Sequence, residues 1–253
     1  MIIPQLIGGL GNNMFQIATA YAVAKENGTE MCINYKMHAN HAHFHPERYR
    51  DNIFKNIKST DVSFEKIYYE PTHRYTKIPP IDDICLHGYF QSIKYFKKYE
   101  KEIKSLFYFP KDIREKIDKQ IRDIKDEIII NHVRRGDYTH SNYHICMTES
   151  YYIYAQDIIK GSISTPFINL IVTDDIAFLE KEFKNNYMYI KGNNEIEDLY
   201  LLTQGRYLIG SNSTFSWWGA FLGEHEYKIF PKMWFGKGGP DSTDIFNDDF
   251  ICI

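Results

Sequence analysis

Ile129-Ile130-Asn131-His132-Val133-Arg134-Arg135-Gly136-Asp137-Tyr138 is the stretch on which the reading of this chain turns. It opens as an apolar run, the pattern of a strand buried on both faces in a parallel sheet. It closes with two arginines, a glycine and an aspartate. Buried charge is costly unless it is paired, so charge on the end of a core strand needs a reason. Open α/β sheets supply one, because they bind ligands outside the carboxyl ends of their strands. If the strand stays extended through residue 134, its period of two puts His132 and Arg134 on one side. Gly136 then permits a sharp turn. An arginine there suits a phosphate, which its planar fork can grip with two hydrogen bonds. Two plainer readings compete: an Arg134–Asp137 ion pair that ties down a loop, and an exposed Arg-Gly-Asp adhesion peptide. Nothing in the chain supports an extracellular setting for the second.

Outward from this strand the pattern is regular. Helical spacing covers Glu149–Lys160, with Thr148 as a candidate cap and Gly161 as a stop. A strand follows at Phe167–Thr173, then a helix at Asp175–Phe183, a strand at Tyr187–Ile190 and a helix at Glu195–Thr203. Tyr207–Ile209, Phe215–Leu222 and Lys228–Phe230 continue the alternation, and Pro231 closes the last strand. Strands alternating with helices of these lengths predict an α/β architecture, a parallel sheet covered on both faces.

The first half reads differently. Met1–Ile7 is a short apolar run leading into Gly8-Gly9-Leu10-Gly11-Asn12, and then into a helix with Asn12 or Asn13 as cap. The glycine loop resembles a dinucleotide fingerprint but carries Met14 where the third glycine belongs, and Asn34 where the acid of the second strand belongs. It lacks the Gly-Lys-Ser/Thr of a P-loop. Close approach of its backbone to a ligand remains plausible. Met31–Ile33 predicts a second strand, 34–80 a polar, loop-rich region, and Ile93–Phe107 and Pro110–Lys125 two helices. The division is placed as 1–115 and 116–253.

The chain has 253 residues and a formal net charge of −3, which argues against nucleic acid as a partner. Its four cysteines form no C-x-x-C and no zinc-type spacing. With no leader and no apolar run of the ~18 residues that span a bilayer, the expectation is a cytoplasmic protein, peripheral to a membrane at most, with reduced thiols.

Three further motifs carry candidate chemistry. Gly210-Ser211-Asn212-Ser213-Thr214-Phe215-Ser216-Trp217-Trp218 follows a strand and opens a helix, where free backbone N–H groups and hydroxyls suit an anion. Ordinary capping above an aromatic core is the alternative. Val172-Thr173-Asp174-Asp175 could hold a metal, but an acid there more often caps the next helix. His38, His41, His43 and His45 match no standard metal spacing and read as a polar surface.

In this order, GGLGNNMFQIA, HVRRGDY, VTDD and NSTFSWWGAFL resemble the α-1,2-fucosyltransferases of glycosyltransferase family 11. The motifs cover both ends and most of the second half. Asn13 departs from the glutamine more usual in the family. The resemblance implies a GT-B-like fold of two Rossmann-type lobes, with the donor site in the C-terminal lobe. It implies GDP-β-L-fucose as donor, the 2-hydroxyl of a galactose-terminated glycan as acceptor, and inversion without a metal or other cofactor. Arg134 would meet the charge developing on the leaving β-phosphate, with His132 on the same diphosphate. Asn212, Ser213, Thr214 and Phe215 would form the other half of the cradle, and Gly9, Gly11 and Asn12 would approach the donor. Asp198 would accept from the guanine edge, or else stand as a solvated helix residue. Asp137 is either a catalytic base or the residue that orients Arg134. Acceptor contacts are expected within 35–95. Transfer to a protein hydroxyl, a non-catalytic GDP-sugar or carbohydrate-binding module, and a nucleotide hydrolase are the rival readings. The diphosphate residues argue against loss of activity, and the missing P-loop lysine against the hydrolase.

Overall fold

The computed structural model describes residues 1–37, 45–183 and 187–253. The chain forms two compact units, one of Met1–Pro110 with Asp241–Asn247, the other of Lys111–Pro240 with Asp248–Ile253. The first boundary therefore falls at Pro110 rather than 115. Asp241–Asn247, placed by sequence in the second half, belongs to the first unit, because Asp244 accepts hydrogen bonds there from Tyr75 N (2.8 Å) and Lys94 Nζ (2.5 Å).

The second unit is built on a parallel sheet. In chain order its strands are β4 (Glu127–Val133), β5 (Phe167–Thr173), β6 (Tyr187–Tyr189), β7 (Tyr207–Ile209), β8 (Tyr227–Phe230) and β9 (Ile251–Cys252). They lie in the order β6-β5-β4-β7-β8-β9. Pro231 does not close the sheet, since β9 adds a further parallel pairing, Ile229↔Ile251 and Phe230↔Cys252. The apolar runs alternate faces. Ile129, Val133, Ile171, Tyr207, Ile209 and Ile229 pack under α4 (Glu149–Lys160) and α5 (Ile176–Glu182), against Tyr152, Ala155, Ile159 and Leu179. The opposite face of β4 meets α7 (Thr214–Leu222), to which His132 is hydrogen-bonded through Ser216. The helix α6 (Glu195–Leu202) packs closely on α7, since a Cβ on Gly219 would come within 2.6 Å of Leu202 Cβ. Asn194 and Glu197 form a capping box at its start. The helix α3 (Lys111–Ile121) is highly charged but buries Ile113 and Ile117, and its Lys116 reaches Glu197 at 2.6 Å. Thr148 holds the cap position of α4 without a side-chain cap bond, whereas Asp175 caps α5 by accepting from Phe178 N at 2.9 Å.

The first unit has a smaller parallel sheet, β1-β3-β2, of β1 (Ile2–Pro4), β2 (Ile67–Tyr69) and β3 (Ile84–His87). Met31 and Ile33 make only isolated bridges, to Ile2 and Ser59, so the expected strand is reduced to two contacts. The helix α1 (Leu10–Glu26) starts after Gly9, and neither Asn12 nor Asn13 caps it. Asn13 is buried inside the helix and donates to Ile7 O at 3.0 Å. The expected helix over 93–107 resolves into two 3-10 turns and α2 (Glu100–Leu106). Of the histidine cluster, His45 caps the turn Pro46–Tyr49, while His38, His41 and His43 lie outside the described residues.

Candidate active site

The order of the larger sheet contains a switch point. From β4 the chain moves to β5 on one side, and it later returns to place β7 on the other, pairing Asn131 with Ile209. Crevices of this kind are where open α/β sheets bind ligands. The loop after β4 carries Arg134 to Tyr138 and the loop after β7 carries Ser211 to Thr214, so both charged and hydroxyl motifs border one crevice. Tyr138 ties them together by donating from its hydroxyl to Asn212 O at 3.0 Å.

The strand ends at Val133, so Arg134 projects from a loop and not from an extended continuation of β4. Both terminal nitrogens of its fork are paired with carboxylates. Nη2 meets Asp137 Oδ1 at 2.5 Å and Nη1 meets Asp174 Oδ2 at 2.8 Å. Burial works against its charge, but Asp174 and Asp137 outweigh that and hold it above the ordinary arginine range. Asp174 also accepts from Arg135 N at 2.8 Å, so one carboxylate fixes both the guanidinium and the backbone of the turn. The register Val133↔Thr173 brings it there. Gly136 is needed for this approach, since a Cβ would stand 2.6 Å from Asp174 Oδ2. Arg135 turns elsewhere, stacking 3.4 Å above the ring of Phe178 and pairing with Asp175.

His132 is buried, with Nδ1 against the hydroxyls of Ser216 (2.5 Å) and Ser211 (3.1 Å). Burial, reinforced by the charge on Arg134, pushes its pKa down to about 3. The neutral imidazole is therefore the favoured form. Ser213 caps α7, its hydroxyl accepting from Phe215 N at 3.3 Å, and Thr214 and Phe215 form the first turn above. Asn212 faces inward, 1% exposed, with its amide donating to Trp234 O at 2.8 Å, so its side chain braces the loop from beneath. Asp198 is half-buried near the start of α6, and burial raises its carboxyl pKa to about 6.

Gly9, Gly11 and Asn12 belong to the first unit, where Asn12 Oδ1 accepts from Gln91 Nε2 at 2.9 Å. Tyr138 and Ser216, each inside a motif already quoted, are participants that sequence reasoning did not single out, and Asp174, read there as a metal ligand or a helix cap, instead holds Arg134 and the backbone of Arg135. Among the described residues no cluster of His, Cys, Asp and Glu is arranged to hold a metal, and no helix is long and apolar enough to cross a membrane.

Two units built on parallel sheets are the GT-B-like architecture, and solved structures share the fold. The α-1,6-fucosyltransferase NodZ of Bradyrhizobium, in crystals soaked with GDP-fucose, aligns at a TM-score of 0.58 and 14% identity, over 88% of this chain and 92% of that one. More particularly, the model of glycosyl transferase family 11 matches residues 3–242, and the chain belongs to that family. An α-1,2-colitosyltransferase of Escherichia coli is 26% identical over 100% of this chain and 99% of its own length. A galactoside α-(1,2)-fucosyltransferase 2 of Pongo pygmaeus is 26% identical over 85% of this chain and 67% of its own.

Proposed function

We propose that the protein transfers L-fucose from GDP-β-L-fucose to the 2-hydroxyl of a galactose in a glycan, with inversion and without a metal. The observation that carries the donor half is the crevice between β4 and β7, where Tyr138 ties the loop that bears Arg134 to the helix start at Ser213 and Thr214. The acceptor oxygen attacks the anomeric carbon as the bond from that carbon to the β-phosphate oxygen breaks. The hydroxyl proton leaves to the departing diphosphate or to a carboxylate. Arg134 meets the charge that grows on the diphosphate, where preorganised donors count most. Its fork is held by Asp137 and Asp174, so a bound diphosphate takes over one of these partners. Asp137, already on the guanidinium, acts as an orienting residue. His132 supplies a neutral hydrogen bond, and the N–H groups at the start of α7 add the helix's positive end. Asp198, ionised above pH of about 6, accepts from guanine N1–H and N2–H.

Transfer of colitose is the second reading, favoured by the relative that matches the whole chain. We take the donor to be GDP-linked on both readings. Calorimetry of GDP, ADP and UDP with EDTA present, on the wild type and Arg134→Ala, tests them together. GDP alone should bind, without metal, and binding should be lost in the variant. Equal binding of the three nucleotides, or a strict need for metal, overturns the donor assignment. Turnover of the two GDP-sugars then separates fucose from colitose.

A further inference from the structure

The hydrogen-bond ladder between β4 and β7 ends at the pair Asn131 and Ile209, short of both Arg134 and Ser213. Beyond it the two loops of the crevice are joined by His132 on the serine hydroxyls and by the hydroxyl of Tyr138. Of the two, Tyr138 is the one that also lies on the guanidinium. Arg134 Cζ stands over its ring, 5.4 Å from the centroid. The turn Gly136–His140 brings the ring there, with Tyr138 N donating to Arg135 O at 2.7 Å. Burial pushes the phenol pKa up, so the hydroxyl stays protonated as the donor to Asn212 O.

The contacts of Tyr138 belong to a closed circuit. His144 stacks on its ring at 4.2 Å, with the planes 15° apart. His144 is fixed in turn by Ser141, whose hydroxyl accepts from His144 N at 3.0 Å and lies 2.9 Å from Nδ1. It also forms an antiparallel bridge with Phe235, their rings 5.5 Å apart, and beside that bridge Gly236 N donates to Tyr143 O at 2.7 Å. The residue before Phe235 is Trp234, whose carbonyl accepts from the amide of Asn212 at 2.8 Å. The circuit returns from Asn212 O to the Tyr138 hydroxyl. One segment, 234–236, therefore supports the loop after β7 through Asn212 and the loop after β4 through His144. The gap between the two loops is set by these bonds rather than by the sheet.

We propose that Tyr138 is a positioning residue for glycosyl transfer. It fixes the spacing between the Arg134 guanidinium and the start of α7, so that both halves of the diphosphate cradle are preset before the donor enters. The role rests on the transfer reading above. Arginine has a long side chain, and a diphosphate that had to order it on arrival would lose part of the interaction to entropy. With Asp137 and Asp174 on its nitrogens and Tyr138 beneath its plane, the guanidinium is ordered by folding instead. Preset donors count most where charge develops on the leaving group, so the effect of Tyr138 falls on kcat more than on ground-state GDP affinity.

The test is Tyr138→Phe in the full chain, which keeps the ring on Arg134 and His144 and removes the hydroxyl alone. Initial rates of GDP release from GDP-fucose with a galactoside should show kcat lowered by roughly three- to tenfold, the worth of one neutral hydrogen bond. The donor KM, and GDP affinity by calorimetry, should change by less than about twofold. In an Arg134→Lys background the same substitution should lower kcat by less than about twofold, because a residue that acts through the guanidinium has little left to position. Normal kcat in Tyr138→Phe overturns the proposal, and a lowered melting temperature beside it marks the bond as merely structural. An equal loss of kcat in both backgrounds overturns it too. In each of these cases an active wild type leaves the transfer reading standing. A wild type that turns over neither of the two GDP-sugars sinks the transfer reading, and the positioning role with it.

Discussion

Replacing Arg134 with lysine keeps the positive charge and removes the fork. The guanidinium reaches Asp137 with one nitrogen at 2.5 Å and Asp174 with the other at 2.8 Å. A single ammonium can hold one of those oxygens, or one oxygen of an incoming diphosphate, while the second position falls empty. Losing one hydrogen bond between charged groups costs about 1.5–3 kcal/mol. If that loss is felt mainly in the transition state, kcat falls roughly ten- to a hundred-fold. Initial rates of GDP release with GDP-fucose and a galactoside measure it. Arg135→Lys is the matched control. That residue stacks on Phe178 and pairs with Asp175, away from the cradle, so its replacement should lower the melting temperature and change kcat by less than about threefold. The reasoning is refuted if Arg134→Lys retains normal turnover, or if Arg135→Lys loses as much.

Other expectations follow from the same geometry. Gly136→Ala should cost about 1–3 kcal/mol of stability in chemical denaturation, because its Cβ displaces the Asp174 oxygen that holds Arg134. GDP affinity should decline as pH drops below about 6, where Asp198 takes up a proton, and Asp198→Asn should flatten that profile in calorimetry. Because the fold raises this carboxyl, its ionisation opposes folding. Asp198→Asn should therefore raise the melting temperature at pH 8 and make no difference below the unfolded value of about 4. His132 behaves in the opposite sense. Its folded pKa is depressed, so stability is full above about 6.5 and declines as pH falls toward 3, and His132→Asn should make the melting temperature less sensitive over that range. Asp244→Ala leaves Tyr75 N and Lys94 without their acceptor and should destabilise the first unit by about 1–3 kcal/mol, read by hydrogen exchange at residues of β1 and β3.

The larger sheet was legible because its strands are continuous apolar runs separated by amphipathic helices. Phe167–Thr173, Tyr207–Ile209 and Glu149–Lys160 form as the pattern predicts. Two residues of β9 carry no such pattern, since their pairing depends on β8 being in place. The first unit was opaque for a related reason. Its strands are three or four residues long, and β2 leaves Ile67 and Tyr69 exposed. Side chains distant in sequence shape its loops, Glu70 acting on Tyr89 and Phe90, and Gln16 acting on Gly88. Local propensity contains no trace of such bonds. At the candidate site the residue types were readable and their partners were not. A sequence shows that Arg134 follows a strand. Only the adjacency of β4 and β5 reveals that Asp174 stands ready to hold it.

The short segment Asp241–Asn247 has a consequence for how the protein is made. Asp244 is 6% exposed and anchors to residues 75 and 94 of the first unit, yet 130 residues of the second unit, Lys111–Pro240, precede it in the chain. A nascent chain that has emerged through Pro110 still lacks the carboxylate that ties down that loop. The first unit is thus left unfinished until all of Lys111–Pro240 has been translated, and a stop codon shortly before residue 244 would damage it along with the second unit.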